Sequence, residues 1–161
     1  MERLRKASRY FAYPFDPEIL RQKIEAECQT CDANQDYRLR ISLSKSGEIE
    51  VERRVLTPLS PSFCQAQLCL QEADLNQAFT YFKTTHRPHL SLGEQEKIYH
   101  NKSGELLETS IGNLVLKITG KLYTPPIRLG ILPGIYRQHL LETGEVEAVS
   151  YTHLTLPTKR I

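Results

Sequence analysis

The first thirty residues carry apolar side chains at helical spacing. They recur in two runs, first Leu4, Ala7 and Phe11, and then Ile19, Leu20, Ile24 and Cys28. The Tyr13-Pro14-Phe15 segment separates the runs. Asp16 followed by Pro17 predicts the start of the second helix, because an aspartate accepts hydrogen bonds from helix-start amides and proline needs no acceptor there.

From residue 37 the hydrophobic period changes from helical spacing to two. Apolar residues alternate with polar ones in a first strand, and similar patterns predict two further strands: Tyr37, Leu39, Ile41 and Leu43; Ile49, Val51 and Val55; and Ala66, Leu68 and Leu70. Ser46-Gly47 predicts a turn between the first two strands, so these form a hairpin.

The second half predicts two more hairpins and a helix. One hairpin turns at residues 101–104 and the other at Thr119-Gly120. Pro133-Gly134 predicts the start of a helix that ends near Thr143, with Gly144 as its stop. The sequence thus predicts an α+β fold with mainly antiparallel sheet and two subdomains.

The subdomain boundaries follow from changes in composition along the chain. Residues 1–70 form the predicted N-terminal α+β subdomain, and the polar stretch 71–78 is the predicted linker. Residues 79–148 form the predicted C-terminal subdomain. Residues 149–161 resemble translated sequencing-adapter sequence and are predicted to be a non-native tail.

Composition and charge exclude several classes of protein. The chain has 161 residues, with 21 Lys and Arg against 19 Asp and Glu and a net charge of +2. This balance disfavours a strongly basic nucleic-acid surface, and no apolar run is long enough for a membrane span. The start, Met1 to Lys6, is not followed by the apolar core of a signal peptide, so the expected compartment is the cytoplasm.

The four cysteines permit two interpretations. Cys28-x-x-Cys31 followed by Cys64 and Cys69 resembles a zinc tetrad only loosely, and no glycine stands beside either pair as in a zinc knuckle. A small zinc module is therefore disfavoured. Reduced, partly buried thiols are the better interpretation.

Three segments in order carry the functional hypothesis. They are Phe82-Lys83-Thr84-Thr85-His86-Arg87-Pro88-His89, then residues 108–114 (Glu-Thr-Ser-Ile-Gly-Asn-Leu), and then Tyr123-Thr124-Pro125-Pro126 followed by residues 130–137 (Gly-Ile-Leu-Pro-Gly-Ile-Tyr-Arg). Together they resemble the class IV, fold-type IV pyridoxal-phosphate enzymes. Within that group the Lys-Thr-Thr-His-Arg string is most similar to the aminodeoxychorismate lyases, while branched-chain and D-amino acid transaminases share the other two segments.

The resemblance implies two residues for the reactive end of pyridoxal 5'-phosphate. Lys83 matches the family's Schiff-base lysine, and His86 and Arg87 are cations near it in sequence that would favour its neutral amine. Glu108 matches the carboxylate that contacts the pyridine nitrogen, and Asn113 would support the turn beside it. The alternatives are a solvated surface lysine and a glutamate at a strand end.

The resemblance also implies a site for the cofactor phosphate. Gly134, Ile135 and Tyr136 match the phosphate loop at the start of the predicted helix, where amides and the helix dipole favour an anion. Tyr136 stands where related transaminases often have threonine. Arg3 matches the arginine of a His-x-x-Arg-Leu pattern, with Met1 in place of the histidine. The alternatives are an ordinary Pro-Gly helix entry and a solvent-facing arginine.

The implied reaction is an elimination from 4-amino-4-deoxychorismate. Lys83 removes the proton from the amine-bearing carbon, the enolpyruvyl group leaves as pyruvate, and the ring becomes 4-aminobenzoate for folate synthesis. The alternatives are a class IV transaminase and a non-catalytic relative. The resemblance further implies a homodimer and a fused or cooperating aminodeoxychorismate synthase.

The chain departs from the family pattern in three places. The family has strands before the helix that carries Arg3 and further sheet after residue 148, so the printed chain is expected to lack both ends of the fold. The segment between residues 90 and 97 is shorter than usual, which puts the helix after Lys83 in doubt. We therefore expect weak or no turnover by the chain as printed.

Overall fold

The computed structural model describes residues 1–57, 66–71, 77–90 and 95–152. The chain divides into two compact units, Met1–Ser62 and Phe63–Ile161. Each unit contains helices together with antiparallel strand pairs, which confirms the predicted α+β class.

The first unit consists of two helices followed by a hairpin: α1 (Glu2–Phe11), α2 (Pro17–Gln29), β1 (Tyr37–Leu43) and β2 (Ile49–Val55). The strands are antiparallel, with Tyr37 opposite Val55. Helix α2 begins as predicted, because the backbone N–H of Glu18 donates to Asp16 Oδ1 at 2.8 Å. Leu20 and Ile49 are 1% and 3% exposed and form the core of this unit.

The second unit begins with a three-stranded sheet and a short helix: β3 (Ala66–Leu70), α3 (Gln77–Tyr81), β4 (Glu96–His100) and β5 (Leu106–Thr109). Strand β4 is central, with β3 parallel to it and β5 antiparallel. The hairpin predicted around residues 101–104 is the β4–β5 pair.

A second sheet completes this unit: β6 (Leu116–Ile118), β7 (Lys121–Thr124), a 3-10 helix (Ile127–Leu129), α4 (Ile135–Glu142) and β8 (Glu147–Ala148). Strands β6 and β7 form the other predicted hairpin. Strand β8 pairs in parallel with β7. Helix α4 lies where Pro133-Gly134 predicts it, and Gly144 follows its end with φ +73°.

The buried core of the second unit positions its loops. Tyr99, Leu107 and Ile131 form a buried cluster from β4, β5 and the segment before α4. Cys69, Leu90 and Leu129 pack against it. Burial of Leu90 and Ile131 therefore anchors the two loops that follow α3 and precede α4.

The unit boundary differs from the prediction. The predicted N-terminal subdomain ends at residue 70, whereas β3 belongs to the second unit because its hydrogen-bonding partner is β4. The predicted linker 71–78 begins with the buried Gln71, whose N–H donates to the carbonyl of His100 at 2.8 Å. Its end lies in α3, and residues 72–76 lie outside the described part.

The described start of the predicted tail is hydrogen-bonded to the second unit. The N–H of Val149 donates to the carbonyl of Thr124 at 3.0 Å, and the N–H of Leu106 donates to that of Tyr151 at 3.1 Å. Residues 149–152 therefore pack as part of this unit. Residues 153–161 lie outside the described part.

Candidate active site

Lys83 lies in an exposed turn segment after α3. Three residues after Lys83, the ring of His86 packs edge-on against Phe79 of α3, with centroids 5.1 Å apart. At the end of this segment Leu90 packs into the core. Residues 83–90 contain no helix, and Lys83 is exposed on the stretch between the end of α3 and His86.

Arg87 connects the Lys83 segment to β5. Its Nη2 donates to Glu108 Oε1 at 3.2 Å, and the side chains of Arg87 and Glu108 are 17% and 3% exposed. A charge-assisted hydrogen bond at this depth satisfies a carboxylate that would otherwise be costly to bury. From the sequence, Arg87 was expected to be a cation near Lys83, and its ion pair with Glu108 was not predicted.

Glu108 is a buried carboxylate at the end of β5. Its Oε2 accepts a hydrogen bond from the backbone N–H of Leu132 at 3.4 Å. Burial raises the pKa of Glu108 above its ordinary value, while Arg87 and the Leu132 amide act in the opposite direction. Burial thus favours the protonated form of this carboxylate, while the Arg87 cation and the Leu132 amide favour its ionised form.

Asn113 ties β5 to the loop before α4. Glu108 and Asn113 face each other in an isolated antiparallel bridge. Asn113 Nδ2 donates to the carbonyl of Leu132 at 2.8 Å, and the N–H of Gly134 donates to the same oxygen at 2.9 Å. A Cβ added to Gly134 would overlap Asn113 Oδ1, so the close approach requires glycine.

Helix α4 begins immediately after this contact. Gly134 is its N-cap residue, and no side chain caps the helix. The first helical acceptor is the Gly134 carbonyl, which accepts from Gln138 N at 2.9 Å. The amides of residues 135–137 therefore have no acceptor within the helix. Ile135 and Tyr136 are 66% and 72% exposed, so this helix start is open to solvent.

Arg137 is buried in the first turn of α4. Its Nε donates to Thr124 Oγ1 at 3.2 Å, and its Nη2 donates to the carbonyl of Pro125 at 2.7 Å. Nη1 has no hydrogen-bond partner among the described residues. Burial lowers the pKa of Arg137, and the guanidinium adds positive charge beneath the helix start. The sequence did not predict its burial.

His89 is a second buried group that the sequence did not assign. It is 5% exposed, and within the described ranges neither ring nitrogen has a partner. Burial, together with the nearby Arg87, lowers the pKa of His89 from 6.5 to about 4. The imidazole is therefore neutral at physiological pH.

The predicted site residues fall into two groups. Glu108, Asn113 and Gly134 meet around Leu132, and Ile135 and Tyr136 follow directly on α4. The Lys83 segment joins this cluster through Arg87. Arg3 lies on α1 in the first unit and is partly exposed, so its role stays a prediction.

The chain matches one family over nearly its whole length. The family model for class IV amino-transferases matches residues 1–158, and the chain belongs to this family. Class IV aminotransferases and aminodeoxychorismate lyases are pyridoxal-phosphate enzymes. The family includes both lyases and transaminases, so membership defines the cofactor class and leaves the reaction to be assigned.

Individual relatives carry both kinds of name. Aminodeoxychorismate lyase of Saccharomyces cerevisiae is 26% identical over 166 residues, covering 70% of this chain and 44% of that protein. A candidate amino-acid aminotransferase from Mesorhizobium loti superposes with a TM-score of 0.78 at 24% identity, covering 94% of this chain and 77% of that one. The pyridoxal-phosphate form of a branched-chain aminotransferase from Thermobaculum terrenum gives 0.68 at 18% identity, covering 94% and 60%. The chain thus spans less than half of the yeast relative.

The donor set of the second unit fits pyridoxal phosphate. The cofactor requires an amine, a charge partner for its ring nitrogen and an anion site. The unit offers the Lys83 amine, the buried Glu108 carboxylate and the solvent-open start of α4, which no side chain caps. These are three chemically different groups of the required kinds.

The described residues provide neither a metal cluster nor a membrane-spanning helix. Across these residues no group of three or more His, Cys, Asp or Glu side chains is arranged to hold a metal ion, and Cys64 lies outside them. None of the described helices combines the length and apolar character needed to cross a membrane.

Proposed function

We propose that the chain is part of a pyridoxal-phosphate-dependent 4-amino-4-deoxychorismate lyase, which releases pyruvate and 4-aminobenzoate for folate synthesis. The observation that carries this proposal is the Arg87–Glu108 ion pair at 3.2 Å. It links the lyase-like Lys-Thr-Thr-His-Arg segment to the carboxylate that would hold the pyridine nitrogen. The name of the yeast relative supports the same reaction.

The proposed cofactor contacts come from both ends of the cluster. Lys83 would hold the aldehyde carbon, Glu108 the ring nitrogen, and the loop of Gly134, Ile135 and Tyr136 the phosphate. The donors in that loop would be the amides of Ile135 and Tyr136, because the Gly134 N–H is already bonded to the Leu132 carbonyl. Asn113 would position the phosphate loop through the Leu132 carbonyl. Pyridoxal phosphate, when bound, supplies an aldehyde for the substrate amine and a ring that accepts electrons from the adjacent carbon.

The chain's own residues would then move protons. Lys83 is exposed, so its amine can reach the proton on the amine-bearing carbon of a bound substrate. As the C–O bond to the enolpyruvyl group breaks, that group takes up a proton and leaves as pyruvate, while the ring becomes aromatic. Glu108 would keep the pyridine nitrogen protonated, and Arg87 would hold Glu108 ionised against its burial.

A transaminase is the second candidate, because the two aminotransferase structures superpose on this chain. A lyase forms pyruvate and 4-aminobenzoate from aminodeoxychorismate alone, whereas a transaminase forms a keto acid only with an amino acceptor. For the whole protein we propose a cytoplasmic homodimer that is fused to or works with an aminodeoxychorismate synthase. The printed chain alone is expected to turn over weakly or not at all.

Borohydride trapping tests the cofactor site without requiring turnover. The chain is incubated with pyridoxal phosphate, reduced with borohydride and mapped by mass spectrometry. We expect a phosphopyridoxyl group on Lys83, its loss in Lys83→Gln, and its retention in Lys102→Gln, which removes another exposed lysine of the same unit. Label spread over surface lysines, with none enriched on Lys83, would favour a non-catalytic relative.

The reaction is assigned on the full-length parent protein. Pyruvate and 4-aminobenzoate formed in equal amounts without an amino acceptor would support the lyase. Formation of a keto acid that depends on an amino acceptor would instead identify the protein as a transaminase and refute the lyase proposal. Arg87→Gln is expected to lower the rate at least tenfold, about 1.4 kcal/mol, if Arg87 maintains the charge of Glu108.

A further inference from the structure

The first unit holds a Cys-x-x-Cys pair where helix α2 ends. Cys28 is exposed in the last turn of α2, and Cys31 lies two residues beyond the helix and is partly buried. The N–H of Cys31 donates to the carbonyl of Cys28 at 3.1 Å. This hydrogen bond closes a turn between the backbones of the two cysteines.

Arg53 of β2 holds a positive charge against this turn. Its Nη1 donates to the carbonyl of Glu27 at 2.6 Å, to Thr30 Oγ1 at 2.6 Å and to Cys31 Sγ at 3.3 Å. Its Nε lies 3.7 Å from Glu27 Oε2. These contacts fix the guanidinium beside the sulfur, at a helix end whose carbonyls would otherwise oppose a negative charge.

We propose that Cys28 and Cys31 form a reversible dithiol–disulfide site, with Cys31 as the attacking thiol and Cys28 as the resolving thiol. The reactant is a low-molecular-weight disulfide of the glutathione type. The Cys31 thiolate forms a bond to one sulfur, and the other sulfur leaves as a thiolate. The Cys28 thiolate then attacks Cys31 Sγ and releases the second thiol. Two protein thiols are oxidised, one small disulfide is reduced to two thiols, and the two protons pass to the released thiolates.

The position of Cys31 beyond the helix end bears on this ring closure. A disulfide needs its Cβ atoms about 3.5–4.5 Å apart, and helical neighbours three residues apart lie at about 5–6 Å. Cys31 follows Thr30, the C-cap residue with φ −101° and ψ 10°, and is therefore outside the helical ladder. The helical spacing therefore does not fix the separation of Cys28 and Cys31, and Arg53 also bonds Glu27 and Thr30, which do not take part in the disulfide.

Peptide mapping of the full chain tests the site. The protein is equilibrated with reduced and oxidised glutathione, quenched with acid, alkylated and digested with trypsin. Cleavage after Lys23 and Arg38 places Cys28 and Cys31 in one peptide, whereas Cys64 and Cys69 fall in the peptide between Arg54 and Lys83. We expect the 24–38 peptide to be lighter by two hydrogen atoms and to regain them with dithiothreitol.

Single-cysteine variants distinguish the order of attack. Cys28→Ser should leave a stable mixed disulfide on Cys31, because no resolving thiol remains. Two separate glutathione adducts on the native chain, or two thiols that stay reduced in excess glutathione disulfide, would overturn the proposal.

The role of Arg53 has its own readout. In the Cys28→Ser background, Arg53→Gln should slow the reaction of Cys31 by about tenfold. In the Cys31→Ser background the same change should alter the reaction of Cys28 less than about twofold, since the Arg53 guanidinium bonds the sulfur of Cys31 and not that of Cys28. Arg54→Gln is the matched control, because Arg54 is 79% exposed and pairs with Glu52 instead. Equal slowing of both thiols, or of neither, would refute Cys31 as the activated thiol.

Discussion

Protonation of His89 is expected to make the second unit acid-sensitive. The ring is 5% exposed, and among the described residues neither of its nitrogens has a partner. The neighbouring Arg87 adds like charge when His89 is protonated. His89→Leu replaces the titrating ring with an apolar side chain of similar bulk. It therefore removes both the cost of burying a protonated imidazole and its repulsion from Arg87.

The size of the effect follows from the pKa of His89. It is about 4 in the folded chain against an ordinary 6.5, so between these values the folded state binds fewer protons than the unfolded state. Stability therefore falls as pH decreases below about 6.5, until the folded state also protonates near 4. The full loss is about 3 kcal/mol, of which about 2 kcal/mol is reached at pH 5.

Hydrogen exchange along a urea gradient measures this loss in the second unit. Amides of β4 and β5 report its opening separately from the first unit, and the chain has no tryptophan to serve as an optical probe. At pH 7 the His89→Leu variant should differ from wild type by less than about 1 kcal/mol. At pH 5 it should be more stable by about 2 kcal/mol.

His139→Asn serves as the control, because His139 is exposed on α4. Its pH dependence should match that of wild type. The buried Glu108 titrates in all three proteins and cancels in the comparison. If wild type and His89→Leu lose stability equally between pH 7 and pH 5, the reasoning about His89 is refuted.

Three further substitutions are expected to change the free energy of unfolding. Each change is measured by urea unfolding, with hydrogen exchange reporting on the unit that carries the substitution. Gly134→Ala should destabilise the second unit by about 2 kcal/mol through overlap with Asn113, and Asn113→Ala should rescue it; no rescue would refute the close contact. Thr124→Val should cost about 2 kcal/mol because it leaves Arg137 Nε unpaired; a loss below about 0.5 kcal/mol would contradict this. Leu20→Ala should weaken only the first unit, by about 3 kcal/mol; equal weakening of the second would show that the two units unfold together.

Much of the fold was predictable because its determinants are local. Asp16-Pro17 carries its own capping group, and the Asp16 side chain bonds the Glu18 amide. The turn at Ser46-Gly47 and the stop at Gly144 use residues suited to positive φ. In each case the residues that determine the structure are neighbours in sequence.

Strand partners depend on distant parts of the chain, and here the prediction failed. The alternation of residues 66–70 predicts a strand correctly, but period two does not encode which strand pairs with it. Ala66 lies opposite Glu96, so β3 joins the second unit rather than the first. Only the assembled sheet determines this assignment.

The candidate site divides in the same way. Lys83, Glu108 and Gly134 stand out in the sequence because they occur in ordered motifs. The burial of His89 and Arg137, and the contact between Arg87 and Glu108, were not predictable, because charged residues are exposed in most proteins. Arg87 could have been suspected from its place in the Lys-Thr-Thr-His-Arg segment, but its partner is on another element.

The two parallel pairings, β3 with β4 and β7 with β8, have a consequence for folding kinetics. Parallel strands require a long crossover, and here one crossover carries Lys83 while the other carries the start of α4. Closing both loops costs chain entropy before the parallel strand contacts can form and offset that cost. The folding nucleus should therefore form at the local hairpins. The last step of folding would then be the docking of the edge strands β3 and β8, and this step brings the reactive groups together. Substitutions that weaken β3 or β8 would slow that step, although they change none of the reactive groups.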